Sequence, residues 1–207
     1  MDASSFRTPL TLRGRYTELS PLAASDRDAL FAASRDPEVF RYLRTGPVEN
    51  PSELDVIISG LLAAQAAGTD LPFTTRLLPD RRPIGMTRFL RIDRADESVE
   101  VGGTWLAREF WRTPVNTETK LLLLRHAFEV EHAHRVQLQT DLRNERSQRA
   151  IARLGAQREG VLREDVRLPD GYRRSSVYFS ILAPEWPAVR DRLTRALERP
   201  WGGSEAP

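Results

Sequence analysis

The chain has 207 residues, 40% of them hydrophobic and 29% charged. That is enough to bury one core without staples, too short for two full domains, and unlike disordered, collagenous or coiled-coil sequences. It contains no cysteine, which removes disulfide scaffolds, thiolate metal sites and cysteine nucleophiles together. A pI near 9.4 invites a nucleic-acid reading, but 31 basic against 29 acidic residues leave a net charge of only +2. The arginines are interleaved with acids, as in Arg143-Asn144-Glu145-Arg146, which describes a solvated mixed-charge surface rather than a nucleic-acid patch. No apolar run approaches the roughly 18 to 20 residues of a membrane span. Met1 to Leu12 lacks a signal-peptide pattern, so a cytoplasmic protein with no membrane or nucleic-acid partner is expected.

Leu10 to Leu19 alternates and reads as a first strand. Ser25-Asp26 offers a helix N-cap, followed by Ala29, Leu30 and Ala33 up to Asp36-Pro37. After a loop from Arg41 to Asn50, Pro51 opens a second helix that carries Leu54, Ile57, Ile58, Leu61 and Leu62 at helical spacing and ends at Gly68. Pro72 to Leu78, Ile84 to Ile92 and Ser98 to Leu106 are three strands whose short connections predict antiparallel pairing. Val115 to Val130 is the strongest helix, apolar all round at Leu121 to Leu124 and therefore packed between a sheet and other elements. Arg135 to Thr140 reads as a strand, and Asn144 to Leu154 as a helix closed by Gly155. Val161 to Leu168 and Tyr172 to Leu182 form a hairpin across Pro169-Asp170-Gly171, Pro184 to Leu197 is a last amphipathic helix, and Arg199 to Pro207 reads as a frayed tail. The expected fold is α/β (α+β): one domain over residues 1–207 with its core at about 8–197, and a mixed, mostly antiparallel sheet of about seven strands flanked by helices.

Two adjacent glycines interrupt the strand Val99-Glu100-Val101-Gly102-Gly103-Thr104-Trp105-Leu106, the mark of a bulge or of close approach by another backbone or a ligand. Phe110-Trp111-Arg112-Thr113-Pro114-Val115-Asn116-Thr117-Glu118 then leads into the crossover helix, with Pro114 suited to its first turn. Such a helix start presents amides and a positive dipole end that hold phosphate, although Thr113 or Asn116 equally serves as a plain cap.

These two segments, Asn144-x-x-Ser147, and Leu154-Gly155-Ala156 running to Glu159-Gly160-Val161-Leu162-Arg163 together resemble the GCN5-related N-acetyltransferases, in particular the RimL/RimJ-type branch that acts on ribosomal-protein N-termini. The likeness spans roughly Thr8 to Leu197. It implies transfer of acetyl from acetyl-CoA, bound in a cleft where the fourth and fifth strands splay apart. By the same resemblance, pantetheine runs along the backbone of Thr104, Trp105 and Leu106, and the pyrophosphate meets the amides of Arg112, Thr113, Val115, Asn116 and Thr117. Arg112 adds a charge-assisted contact. Asn144 matches a side chain that bonds the pantetheine arm, a role compatible with capping a helix. One departure stands out: Arg112 and Pro114 replace the glycines usual in the family's pyrophosphate loop, which restricts backbone approach and removes an amide.

Amine attack on a thioester requires the neutral amine, whereas an α-amino group titrates near about 8 and lysine near about 10.4. Glu100 matches a carboxylate that takes this proton in related enzymes, commonly through water; an ordinary polar position on an exposed strand face is the other reading. Ser147, one turn after Asn144, matches the serine that protonates the departing thiolate in RimL-like enzymes; Ile151 stands where many relatives have a tyrosine for that step. A strand amide near Leu106 polarises the carbonyl, and the rest of the acceleration comes from holding amine and thioester together. Trp105, Phe110 and Trp111 either stack on the cofactor or fill the core. His126, His132 and His134 show no metal-binding spacing, so no metal is expected. The acceptor is a primary amine, either a protein N-terminus or a small molecule as in resistance enzymes. A non-catalytic acyl-CoA-binding domain is the reading from another class, and either a monomer or a homodimer fits.

Overall fold

The structure is a computed structural model that describes Phe6 and residues 8–198; the expected frayed tail, Arg199 to Pro207, lies outside the described residues. In chain order the elements are β1 (Leu12–Arg13), β2 (Thr17–Pro21), α1 (Arg27–Ala33), α2 (Pro51–Ala66), β3 (Leu71–Leu77), β4 (Arg82–Asp93), β5 (Ser98–Leu106), α3 (Pro114–Arg125), β6 (Arg135–Asp141), α4 (Glu145–Leu154), β7 (Gln157–Arg167), β8 (Arg173–Leu182) and α5 (Trp186–Leu197). Eight strands form one sheet in the order β1-β2-β3-β4-β5-β6-β8-β7. Each neighbouring pair is antiparallel except β5 and β6, which are parallel and joined by α3.

One core lies where α3, α4 and α5 cover one face of the sheet, with Phe73, Phe89, Val99, Val101, Leu123 and Val136 packed beneath Leu154, Trp186 and Val189. The opposite face of β4 and β5 carries Met86 and Trp105 under Leu30 of α1 and Leu54, Ile58 and Leu61 of α2. Each such buried side chain contributes on the order of 1.5–3 kcal/mol. No described helix is long and apolar enough to cross a membrane.

Three departures from the sequence reading have physical causes. The expected first strand is broken into β1 and β2, giving eight strands, because the Glu118 carboxylate of α3 occupies the turn between them. It accepts from the amides of Arg15, Tyr16 and Thr17 at 2.7–2.8 Å and from Thr17 Oγ1 at 2.9 Å. A Cβ on Gly14 would lie 2.3 Å from that carboxyl carbon, so only glycine fits there. Asp26 does not cap α1 with its side chain; its carboxylate turns to β3, where Thr74 and Arg76 donate to it. The long helix ends as α3 at Arg125 and continues as a wider π-helical turn over His126–Val130. Locally coded ends agree with expectation: Pro51 opens α2, Thr113 and Pro114 open α3, and Gly155, at φ 106°, closes α4; Asn50, read as the end of a loop, also caps α2 with its side chain.

Candidate active site

Parallel β5 and β6 pair over only three residues, Ser98 with Arg135, Val99 with Val136 and Glu100 with Gln137. Beyond them the strands separate, and a cleft of about 540 Å³ opens between them. Its lining includes Glu100, Thr104, Trp105, Leu106, Arg112, Thr113, Asn116, Thr117, Asn144 and Ser147; Pro114 and Val115 do not line it. β5, the start of α3 and the start of α4 thus bring these side chains to one crevice.

The wall formed by β5 is bulged. Met86 faces Trp105 while Arg88 faces Gly102, so β5 holds one residue more than β4 across this stretch. Gly103 takes φ +58°, where a Cβ would sit 3.0 Å from Arg88 Nε. The bulge shifts the alternation by one residue, so that Thr104 shares the α3 face with Val101 and Trp105 turns to the α1 and α2 face. Trp105 is buried against Phe40, ring centroids 5.4 Å apart, and so fills the core beside the cleft. The Ala107 N–H bonds to Ile84 O at 2.8 Å, and strand alternation therefore turns the Leu106 backbone toward the gap. There the Leu106 carbonyl already accepts from Trp111 Nε1 at 2.9 Å. Phe110 is buried in the core with Val115.

At the start of α3 the backbone offers fewer donors than expected. Pro114 has no N–H, and the Val115 N–H points to Thr113 Oγ1 at 3.4 Å, with its side chain wholly buried. Among the described residues this leaves the Asn116 amide as the uncapped donor of the first turn. Arg112 keeps a left-handed backbone, φ 64°, at a cost of about 1–2 kcal/mol for a residue with a Cβ. Guanidinium groups gather where amides are missing. Arg146, which the sequence reading passed over, stacks 3.3 Å from the Trp111 ring centroid, and Arg108 lies 5.8 Å from the same ring while pairing with Asp36 at 3.0 Å. Burial pushes the Arg146 pKa below the usual arginine range, and Arg108 and Arg112 push it the same way.

Asn144 caps α4, its Oδ1 accepting from Ser147 N at 3.0 Å. The Ser147 hydroxyl has no protein partner among the described residues and faces the cleft. Glu100 is not on an exposed strand face: it is 3% exposed. Oε2 accepts from Arg91 Nη1 at 2.9 Å and from Gln137 and Gln139 at 3.2 Å, while Oε1 accepts only from Gln139, at 3.0 Å. Oε1 is thus the oxygen with room for a further donor. Behind the bulge, Lys120 donates to Thr104 Oγ1 at 2.6 Å, and Thr104 shares a 2.8 Å hydrogen bond with Thr87. Burial pulls the Lys120 pKa down to about 7. Among the described residues, no three His, Asp or Glu side chains are grouped to hold a metal.

The family model for the "Acetyltransferase (GNAT) domain" matches residues 17–157, a span that runs from β2 through α4 and contains the cleft walls formed by β5, the start of α3 and the start of α4. The chain belongs to the GNAT acetyltransferase family. A T. thermophilus crystal structure described as a "putative acetyltransferase" is 42% identical, superposes with a TM-score of 0.84, and is matched over 92% of this chain and 98% of that one. Bacillus subtilis (strain 168) "Putative ribosomal N-acetyltransferase YdaF" is 31% identical over 110 residues, 53% of this chain; the chain spans 59% of the length of that relative. Mycobacterium smegmatis RimJ in complex with CoA-disulfide shares the fold, with 23% identity, a TM-score of 0.80, and coverage of 94% of this chain and 98% of its own. This GNAT protein is accordingly an acetyl-transferring enzyme, and the mostly antiparallel sheet flanked by helices is the fold of its relatives. Acetyl-CoA is the donor that the family implies, and the cleft has the features such a donor needs: an unpaired strand edge, a helix start and a cluster of cationic side chains.

Proposed function

We propose that this protein transfers the acetyl group of acetyl-CoA to a primary amine by direct attack, both substrates being held at once in the cleft between β5 and β6. The observation that carries this reading is the loss of pairing after Glu100 and Gln137, which leaves the backbone of β5 open to an extended ligand. Acetyl-CoA supplies the activated acyl carbon. Thr104 to Leu106 orient the pantetheine arm along the strand edge. The Leu106 carbonyl is held by Trp111 and the Ala107 N–H by Ile84, so the Leu106 N–H is the donor available to the thioester oxygen. The Asn116 amide, with Arg112 and Arg146, receives the diphosphate. Here side-chain charge replaces the amides that Pro114 and the Thr113 cap withdraw.

The amine must lose a proton on attack, and Glu100 Oε1, through water, is the acceptor on the same sheet face. The Ser147 hydroxyl, unengaged by protein, passes a proton to the departing thiolate as solvent in the cleft replaces it, a modest contribution because thiols titrate near about 8.5. We place the protein in the cytoplasm, as a single domain acting on amines that include protein N-termini. Likeness to a ribosomal N-acetyltransferase supports that acceptor class. Calorimetry with acetyl-CoA, followed by thiol release and mass spectrometry of peptide and small-amine libraries, tests the reading. The absence of both a heat of association and an acetylated product would refute it.

A further inference from the structure

Alternation along straight β8 places Arg174, Ser176 and Tyr178 on one sheet face. Tyr178 lies opposite Gln139, and Gln139 donates to Glu100, so this is the face on which the proposed proton acceptor sits. Arg174 lines the cleft and is 5% exposed. Its Nε donates to Ser176 Oγ at 3.1 Å and its Nη1 reaches Tyr42 O at 3.4 Å. A guanidinium carries five N–H donors, and Nη2 meets no protein acceptor among the described residues.

Nor does any described carboxylate lie within salt-bridge distance of Arg174. The nearby acids are committed elsewhere: Asp141 is held by Arg143 Nε and Nη2 at 3.1 and 2.7 Å, and Asp165 accepts from Tyr178 Oη at 3.2 Å. Arg44, exposed on the same cleft wall, likewise has no carboxylate partner among the described residues. A buried cation normally has a counter-charge in contact with it. Asp141 and Asp165 act on Arg174 only at longer range, and the guanidinium, with Nη2 unused by protein, belongs to a side chain that lines the cleft.

We infer that Arg174, assisted by Arg44, receives a carboxylate carried by the acceptor, so that the substrates are amines that also bear a carboxylate. The planar fork of an arginine matches a carboxylate through two parallel hydrogen bonds, which a lysine does not provide. This inference rests on the acetyl-transfer reading above.

The test pairs amines that differ only in the acid: 4-aminobutyrate against 4-aminobutanamide, and peptides beginning Ser-Asp against Ser-Asn. In the wild type, kcat/KM is higher for the acidic member of at least one pair, by about tenfold or more. The small-molecule pair and the peptide pair separate the two sources of the carboxylate. Arg174→Gln abolishes the preference through KM, leaves the amide members and the acetyl-CoA Kd within about twofold, and Arg174→Lys restores part of it. A binding arm is independent of turnover: with CoA present, 4-aminobutyrate or the Ser-Asp peptide raises Tm more than its amide partner, and Arg174→Gln removes the difference. Equal treatment of both members of both pairs overturns the inference. So does a weakened acetyl-CoA Kd with unchanged acceptor KM, which would assign the guanidinium to the donor. Preferential binding without any acetylated product would keep the carboxylate site and overturn the transfer reading instead.

Discussion

Lys120 is the one lysine in the chain, and its replacement by methionine isolates the effect of burying an ionisable amine. The ammonium is buried at the base of the cleft with Thr104 as its hydrogen-bond partner, and burial lowers its pKa from the ordinary 10.5 to about 7. Between those two values the unfolded chain holds a proton that the folded chain has released. Stability therefore rises with pH across that window, by up to about 1.4 kcal/mol per pH unit. Below pH 7 both states are protonated and the full cost of the buried charge is present. In Lys120→Met the side chain keeps its unbranched shape and has nothing to titrate. Urea unfolding measured from pH 7.5 to 9.5 is expected to show the wild type gaining about 2.5 kcal/mol relative to the variant over that range. Every other titrating group is common to both proteins and cancels in the difference. Parallel stability profiles, within about 0.5 kcal/mol, would refute a neutral Lys120 in the folded state.

Three further outcomes are expected. Ser147→Ala lowers kcat by about tenfold or more with little change in acetyl-CoA affinity, read by steady-state kinetics and calorimetry; unchanged turnover removes its role as proton donor. Glu118→Gln leaves amides of the β1–β2 turn facing a group that both donates and accepts, and costs about 2–4 kcal/mol in chemical denaturation; a loss below about 0.5 kcal/mol would show that the turn forms without the carboxylate. Arg112→Gly relieves the left-handed backbone while loosening the unfolded chain, so stability stays within about 1 kcal/mol of wild type. CoA binding weakens about fivefold, and less so at high salt, if side-chain charge rather than backbone approach holds the diphosphate. Tighter binding would reverse that conclusion.

Much of the cleft was legible because its markers are local. Gly103 announces a bulge wherever a strand must take φ +58°, Pro114 announces a helix start, and Asn144 caps the turn that begins next to it. The resemblance then assembled these markers into one site. Less legible was how many of the marked groups are already occupied. The Leu106 carbonyl is taken by an indole five residues on, and the Val115 amide by the cap two residues before it. Arg146 carried the available signal of lying between Asn144 and Ser147 on α4, yet its stacking on Trp111 joins two elements that the sequence leaves unrelated. The same holds for β1 and β2, whose separation depends on a glutamate more than a hundred residues away.

By itself, the sequence determined the element order, most helix ends, the glycine-bearing strand and the crossover helix. Capping, periodicity and backbone freedom act over a few residues and can be read from neighbours. The tertiary structure decided which charges are satisfied. Glu100 is held by Arg91, Gln137 and Gln139, up to 39 positions away, whereas Arg174, whose reach to Tyr42 spans 132 positions, has no carboxylate in direct contact among the described residues and feels Asp141 and Asp165 only at longer range. Desolvation and ion pairing depend on distance in space, and only the packed sheet sets those distances.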